Sequence, residues 1–291
     1  MITEGYIHHG GHRTWYRAAG DPAAKGTPLL LLHGGPGSTH NYFELLDPLA
    51  EDRLVVSYDQ LGCGNSYLEG CPELWTMETW IGELIAVREA LGLKKVVLLG
   101  QSWGGMLALE YVCHHPHPGL RGLVLSSTLP SSRLWGLEQE RMIRQLPPEQ
   151  QEAIARATAS GDYSDPAYRE AEDNYMRLHS AGPYGPGDPE CLTRPKRRGR
   201  ESYLAGWGPN EFTPTGSLKD FDVTDRLPSV DVPTLIFSGG NDLCTPYIAK
   251  TMYDAIPGAR WELFRDSRHM CFAEDTGRYL DVMRGWLRQI D

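Results

Sequence analysis

The sequence has no long apolar run, no C-x-x-C pair and no excess of basic residues. A membrane-spanning helix needs about 20 apolar residues, so we expect none. The 6 cysteines are scattered along the chain, which favours reduced thiols and a cytoplasmic location. A formal net charge of −10 argues against a nucleic-acid partner, because such proteins carry a basic surface. Residues 1–5 also lack the basic and apolar regions of a secretory signal.

The stretch around which the chain is organised is V-V-L-L-G-Q-S-W-G-G, residues 96–105. Its apolar start predicts a buried strand, and the apolar spacing that follows predicts a helix. Gly100, Ser102 and Gly104 form the pattern G-x-S-x-G at the turn between them. In such a turn the serine is strained and its hydroxyl is exposed above the edge of the sheet. This strand–turn–helix context, more than the motif alone, predicts that Ser102 is a nucleophile.

Strand patterns alternate with helical patterns in the first and last parts of the chain. This alternation predicts an α/β fold with a mostly parallel sheet flanked by helices. Residues 129–215 show only helical patterns and loops rich in Gly and Pro. We therefore predict a core formed by residues 1–128 and 216–291, with an all-helical cap inserted at residues 129–215. A cap at the carboxyl edge of the strands would lie over Ser102.

The apolar spacing also predicts individual elements. Strands are expected at residues 6–9, 12–18, 28–32, 53–58, 96–99, 119–126, 234–237 and 260–264. Helices are expected at residues 42–50, 76–91, 137–146, 149–159, 166–179, 245–256 and 277–290.

A serine hydroxyl needs a base to take its proton, and that base needs a carboxylate to orient it. In this type of sheet the acid and then the histidine follow the serine along the chain, each in a loop after a strand. Asp242 follows the strand at residues 234–237, and His269 follows the strand at residues 260–264. We therefore predict a Ser102–His269–Asp242 triad.

The oxyanion of the reaction needs two N–H donors. The amide of Trp103, the residue after the nucleophile, is expected to supply one. The glycine-rich turn H-G-G-P-G at residues 33–37 follows a buried strand and leaves backbone amides uncovered by side chains. Gly34 or Gly35 is expected to supply the second donor, and our first choice is Gly34.

Three motifs together resemble the proline iminopeptidases, the prolyl aminopeptidases of the α/β-hydrolase fold. They are H-G-G-P-G at 33–37, D-Q-x-G-C-G-N-S at 59–66 and G-Q-S-W-G-G at 100–105. The similarity continues through W-G-P-N-E-F at 207–212, D-L-C-T-P at 242–246 and S-R-H-M at 267–270. The resemblance implies release of an N-terminal residue, preferentially proline, from short peptides, with no metal and no cofactor.

An N-terminal proline carries a secondary ammonium, and a dry pocket must pair that charge with a carboxylate. The resemblance places Glu211 among the acids that bind this amine. Some members of the family carry a second acid directly after the catalytic aspartate, where this chain has Leu243. The second partner is therefore left open between Glu172, Asp173 and a backbone carbonyl.

The proline ring is expected to lie in a small apolar pocket with aromatic walls. The candidate wall residues are Phe43, Trp103, Trp135, Tyr175 and Trp207. Each of them is also compatible with simple packing in the core or the cap.

Three further features are given a mainly structural interpretation. Cys244 and Cys271 lie two residues after triad members, and we expect buried thiols near the site; the alternative is that modification of Cys271 blocks it. The histidine-rich segment at 114–118 closes a helix and lacks a second set of metal ligands. The basic run at 194–200 is expected to be solvated, or else to attract peptide carboxylates.

Two other functions are compatible with the same motifs. One is an amidase or esterase that acts on small amino-acid derivatives with the same triad. The other is a non-catalytic ligand-binding member of the fold, against which the complete triad argues. The sequence leaves the oligomeric state open.

Overall fold

The computed structural model describes residues 1–291 and contains one eight-stranded sheet. The strands, numbered β1 to β8 in chain order, are Ile2–His9, His12–Ala19, Gly26–Leu32, Arg53–Tyr58, Val96–Gln101, Leu120–Ser126, Thr234–Gly239 and Arg260–Phe264. Their order in the sheet is β1-β2-β4-β3-β5-β6-β7-β8. Strands β1 and β2 form an antiparallel hairpin, β2 is antiparallel to β4, and all other neighbours are parallel. The predicted mostly parallel sheet is confirmed.

Ten α-helices accompany the sheet, numbered α1 to α10 in chain order. They are Met77–Ala90, Trp103–His114, Ser132–Ile143, Pro148–Ser160, Pro166–His179, Glu190–Thr193, Arg200–Gly206, Pro246–Ala255, Cys271–Glu274 and Thr276–Ile290. None of them is long and apolar enough to cross a membrane.

Both faces of the central strands are covered. In β3, Leu30 and Leu32 belong to one core and Leu29 and Leu31 to the other. Successive side chains of a strand point to opposite faces, so a continuous apolar run is what a doubly covered strand requires. The larger core also takes side chains from α1, α2 and α3–α5, and the smaller core takes them from α10.

Five helices, α3 to α7, lie between β6 and β7 in the chain. Helix α5 has the predicted bounds, but α3 begins at Ser132 and not at residue 137. Ser131 explains the earlier start, because its hydroxyl accepts a hydrogen bond from the amide of Leu134 and caps the helix. The limits at residues 129 and 215 stay a prediction.

The segment predicted as a helix at residues 42–50 is a 3₁₀ helix, His40–Glu51. It contains Pro48, which has no N–H to donate to an α-helical bond. This segment covers the smaller core with Tyr42, Phe43, Leu46 and Leu49.

Candidate active site

Ser102 lies at the turn between β5 and α2, with φ 55° and ψ −124°. Such a positive φ is costly for a residue other than glycine. The turn closes tightly against its surroundings, since a Cβ on Gly104 would lie 1.9 Å from the carbonyl oxygen of Leu32. A Cβ on Gly100 would lie 2.2 Å from the carbonyl oxygen of Gly104. The glycines on either side of Ser102 are therefore required by the geometry of the turn.

Asp242 follows β7 and His269 follows β8, and their side chains meet. The Asp242 Oδ1 atom lies 2.7 Å from His269 Nδ1. Asp242 also accepts hydrogen bonds from the amides of Gly239 and Cys244, which hold its carboxylate in place. A carboxylate can only accept, so His269 carries its proton on Nδ1 and keeps Nε2 free as a base.

Ser102 and His269 line the same cavity, which has a volume of about 730 Å³. No hydrogen bond joins the Ser102 hydroxyl to the imidazole; the ring's bond is the one to Asp242. Catalytic hydrogen bonds are often long without substrate and tighten in the complex. The structure thus brings the three predicted triad residues to one edge of the sheet. The hydrogen bond between the Ser102 hydroxyl and the His269 ring is expected to form when substrate binds.

The two candidate donors in the H-G-G-P-G turn, Gly34 and Gly35, differ in what their amides contact. The Gly34 N–H donates to the hydroxyl of Tyr42 at 2.6 Å, and Tyr42 in turn donates to Gln101 Oε1 at 2.9 Å. The Gly35 N–H donates no hydrogen bond within the protein, and Gly35 lines the cavity. The geometry therefore favours Gly35 over our first choice, Gly34, as the second donor.

Trp103, predicted to supply the other donor, is the first residue of α2, so its amide has no acceptor within the helix. Its indole donates to Gln60 Oε1 at 2.7 Å, and Gln60 Nε2 donates to the carbonyl of His33 at 2.8 Å. Gln60 therefore connects the segment that carries Trp103 to the turn that carries Gly35. The sequence pattern did not identify this link.

Glu211 lines the cavity and accepts a hydrogen bond on Oε1 from the Tyr203 hydroxyl at 2.9 Å. Burial raises the pKa of its carboxyl above the usual value, although Tyr203 opposes that shift. The indole N–H groups of Trp135 and Trp207 both donate to the backbone carbonyl of Glu211, at 2.8 and 3.1 Å. These two tryptophans position Glu211 by its backbone.

Glu172 and Asn210 also line the cavity, whereas Asp173 is exposed. Tyr168 donates to Glu172 Oε1 at 3.1 Å and accepts from Asn210 Nδ2 at 2.9 Å. This order leaves the Asn210 Oδ1 atom, which is buried, without a hydrogen-bond partner. An unpaired buried acceptor is costly, so this atom is suited to receive a donor from a bound molecule.

The structure does not place any of the predicted wall residues on the cavity. All five are at most 3% exposed and lie within the cores: Phe43, Trp103, Trp135, Tyr175 and Trp207. Tyr175, for example, donates its hydroxyl to Gln139 inside the insertion. Large aromatics fill cores as readily as pockets, and only packing separates the two roles. The aromatic side chains on the cavity are Tyr42, Tyr184 and Tyr203.

Asp242, Cys244 and His269 are the one group of three side chains close enough to share a metal ion, with their ligand atoms within 4.8 Å of one another. Asp242 and His269 are already hydrogen-bonded to each other. Burial raises the pKa of the Cys244 thiol well above its usual range, which disfavours the thiolate that binds metals. The group is therefore poorly suited to a metal.

Comparisons with known proteins show the fold and the family of this chain. A family model described as alpha/beta hydrolase fold matches residues 27–276. A proline iminopeptidase of Clostridium botulinum is 52% identical over 291 residues, which are 100% of this chain and 99% of that protein. The chain belongs to the proline iminopeptidase family. A proline iminopeptidase of Lactobacillus crispatus, 50% identical over 293 residues, covers 100% of this chain and 99% of its own length.

A solved member of the family has the same fold over nearly the whole chain. The crystal structure of the Mycobacterium smegmatis proline iminopeptidase superposes with a TM-score of 0.86 and 33% identity, covering 99% of this chain and 98% of its own. The family resemblance expected from the motifs is confirmed. Asn210 was not among the predicted site residues. It directly precedes Glu211 in the W-G-P-N-E-F motif, and that position is the sequence feature that could have identified it.

Proposed function

We propose that this chain is a serine exopeptidase that releases an N-terminal residue, preferentially proline, from short peptides. The observation that carries this proposal is an acidic end, formed by Glu211 and Glu172, in the cavity that Ser102 lines. A substrate amine paired there brings the first peptide carbonyl towards Ser102. The names of the relatives support the same activity.

In the proposed mechanism, His269 Nε2 takes the proton of the Ser102 hydroxyl, which attacks the first carbonyl carbon. The amides of Gly35 and Trp103 donate to the oxyanion, and losing one such donor typically costs about 2.7–4 kcal/mol. The imidazolium then gives its proton to the leaving amine. Water hydrolyses the acyl-enzyme in the same way and releases the free amino acid.

Acceptor atoms in the cavity match the ammonium of proline. This group has two N–H donors and one positive charge. Glu211 keeps Oε2 free beside its bond from Tyr203, and Asn210 Oδ1 has no partner. Glu172 adds a second carboxylate, the one that some family members carry at the position of Leu243. Leu243 instead contributes an apolar side chain to the cavity wall.

The proposal is tested with a panel of aminoacyl p-nitroanilides, each with a free and an acetylated amine. We expect proline p-nitroanilide to have the highest kcat/KM and acetylation to lower it at least 100-fold, because the half-buried carboxylates of Glu211 and Glu172 lose their cation. Ser102→Ala should remove both hydrolysis and labelling by a fluorophosphonate. Equal hydrolysis of free and acetylated substrates would instead support the amidase or esterase alternative.

Glu211→Gln sharpens this test because glutamine can still accept the Tyr203 hydrogen bond. We expect the ratio of kcat/KM for proline p-nitroanilide to that for p-nitrophenyl acetate to fall about 10- to 100-fold. Glu170→Gln, an exposed glutamate on α5, is the matched control and should keep the wild-type ratio. An unchanged ratio in Glu211→Gln would argue against its role at the amine.

A further inference from the structure

The cavity that Ser102 lines also has a basic part, formed by Lys196, Arg198 and Arg200. These residues belong to the basic run at 194–200. The run is therefore not simply a solvated surface, since three of its cations border the space where substrate binds.

The other two basic residues of the run are engaged away from this cavity. Arg194 forms ion pairs with Glu44 and Glu190. The Arg197 guanidinium lies over the ring of Tyr67, 3.3 Å from its centroid. Arg194 is thus anchored before Lys196, and Arg197 is anchored between Lys196 and Arg198, which both line the cavity.

Neither Lys196 nor Arg198 forms a salt bridge, although the charge of Arg198 lowers the pKa of Glu211 against the larger effect of burial. Of the basic run only Arg194 takes part in ion pairs. Lys196 is half-buried, and burial together with the charge of Arg198 lowers the pKa of its ammonium. Two cations held near each other without an anion attract a negatively charged group.

The basic part lies beside the reacting centre. Lys196 Nζ is 5.8 Å from the centroid of the Tyr42 ring, and the Tyr42 hydroxyl binds the amide of Gly34. Gly34 in turn adjoins the nucleophile, because a Cβ there would lie 3.1 Å from the Cβ of Ser102. A buried hydroxyl without a partner, that of Tyr184, lines the same cavity and can donate to an anion.

We propose that Lys196 and Arg198 form a subsite for the C-terminal carboxylate of a dipeptide or tripeptide whose amine is bound at Glu211. The inference rests on the proposed function and narrows its substrate class to peptides with a free C-terminus. Once the amine is held at the acidic end, the rest of the peptide extends past Ser102 through the same cavity. The anion at its end then meets the unpaired cations.

The size of the cavity favours a short peptide. Glu211 and Arg198 both line this one cavity, which has a volume of about 730 Å³. An extended chain spans about 3.3–3.6 Å per residue, so a dipeptide or a tripeptide spans roughly 7–11 Å. We therefore take peptides of two or three residues as the substrates to test.

The experiment compares each of Pro-Gly and Pro-Gly-Gly with its C-terminal amide. For at least one pair we expect the free acid to have about tenfold higher kcat/KM, mainly through a lower KM, as a charge-assisted contact gives. The double variant Lys196→Met/Arg198→Met should bring this acid-to-amide ratio within about twofold of 1. Arg197→Met, from the same run but off the cavity, should keep the wild-type ratio.

A second comparison identifies the source of the carboxylate. Pro-Asp amide and Pro-Asn amide differ only in a side-chain charge, and we expect them to differ less than the C-terminal pair. A preference for Pro-Asp amide without a preference for a free C-terminus would overturn the assignment. So would acid-to-amide ratios near 1 in the wild type, or a ratio that survives in the double variant.

These failures are distinguishable from failure of the proposed function. If proline p-nitroanilide is hydrolysed but acids and amides are equal, only the carboxylate subsite is wrong. If proline p-nitroanilide is not hydrolysed, the exopeptidase assignment itself is wrong, and the subsite falls with it.

Discussion

The side chain of His33 holds the carbonyl of Gly34, with Nδ1 2.8 Å from the oxygen. The carbonyl can only accept, and the amide of Gln60 donates to Nε2 at 3.0 Å, so Nδ1 carries the proton. In a trans peptide the C=O and N–H groups point in opposite directions. Anchoring the Gly34 carbonyl therefore fixes the direction of the Gly35 N–H, the proposed oxyanion donor, which points away from the carbonyl oxygen.

Replacement of His33 should lower kcat more than it changes KM. His33→Leu cannot hold the Gly34 carbonyl, and we expect kcat for proline p-nitroanilide to fall about 10- to 100-fold, less than the full loss of an oxyanion donor. His33→Asn keeps a donor near the position of Nδ1 and should recover most of kcat.

Steady-state kinetics of the two variants checks this, together with the rate of fluorophosphonate labelling of Ser102. If His33→Leu and His33→Asn lose kcat equally, the hydrogen bond to Gly34 is not what positions the donor. Burial lowers the pKa of His33 to about 4, so the neutral ring persists throughout the range of these assays.

The acids at the amine site should shape the pH dependence for free-amine substrates. Burial raises the pKa of both Glu211 and Glu172, so each is protonated at a higher pH than an ordinary glutamate. As the pH falls, Glu211 and Glu172 become protonated and no longer pair with the substrate ammonium. p-Nitrophenyl acetate has no ammonium, so its hydrolysis does not depend on these two acids. We expect a steeper acid limb of kcat/KM for proline p-nitroanilide than for the ester.

Glu211→Gln supplies the control for that profile, because its amide does not titrate. The difference between the two acid limbs should shrink in this variant and persist in Glu170→Gln. Parallel limbs for both substrates in the wild type would contradict the assignment of these acids.

Glu83 on α1 should make the folded protein less stable as the pH rises. It is 3% exposed, accepts from Leu61 N–H and the Thr14 hydroxyl, and burial raises its pKa to about 7 from 4.5. Between pH 4.5 and about pH 7, Glu83 therefore keeps a proton in the folded state that it has already lost in the unfolded state. The free energy of unfolding should therefore fall between pH 5 and 8, on the order of 3 kcal/mol from this group.

Urea unfolding of the wild type and of Glu83→Gln at pH 5 and pH 8 measures this contribution. The glutamine should keep the hydrogen bond from Leu61 and lose the part of the pH dependence that Glu83 causes. Glu89→Gln, exposed on the same helix, should match the wild type. The same pH dependence in wild type and Glu83→Gln would show that this carboxyl titrates normally.

Thiol alkylation should spare the active site. Cys244 and Cys271 are fully buried, and burial raises the pKa of both thiols well above the usual value. Since the thiolate is the reacting form, iodoacetamide should modify the partly exposed Cys71 and Cys113 first, with activity retained. Peptide mapping by mass spectrometry alongside activity checks this, and inactivation in step with Cys271 modification would contradict it.

Much of the architecture follows from local patterns. The strand at residues 260–264 and the helix at residues 166–179 have the predicted bounds, because apolar spacing and Asp165 at the start of the helix act within a few residues. The early start of α3 depends on Ser131, whose hydroxyl also donates a hydrogen bond to Asp222, 91 residues later in the chain. A contact between residues so far apart cannot be predicted from the spacing of nearby residues.

The site divides in the same way. Local sequence is enough to name Ser102, Asp242 and His269 as candidates, because tight turns at strand ends require glycine next to the functional side chain. Three features of the site required the folded structure: Tyr42 accepts from the Gly34 amide, Tyr168 leaves Asn210 Oδ1 free, and Lys196 lines the cavity. Backbone turns are set by neighbouring residues, whereas the partner of a side chain is set by packing between segments far apart in the chain.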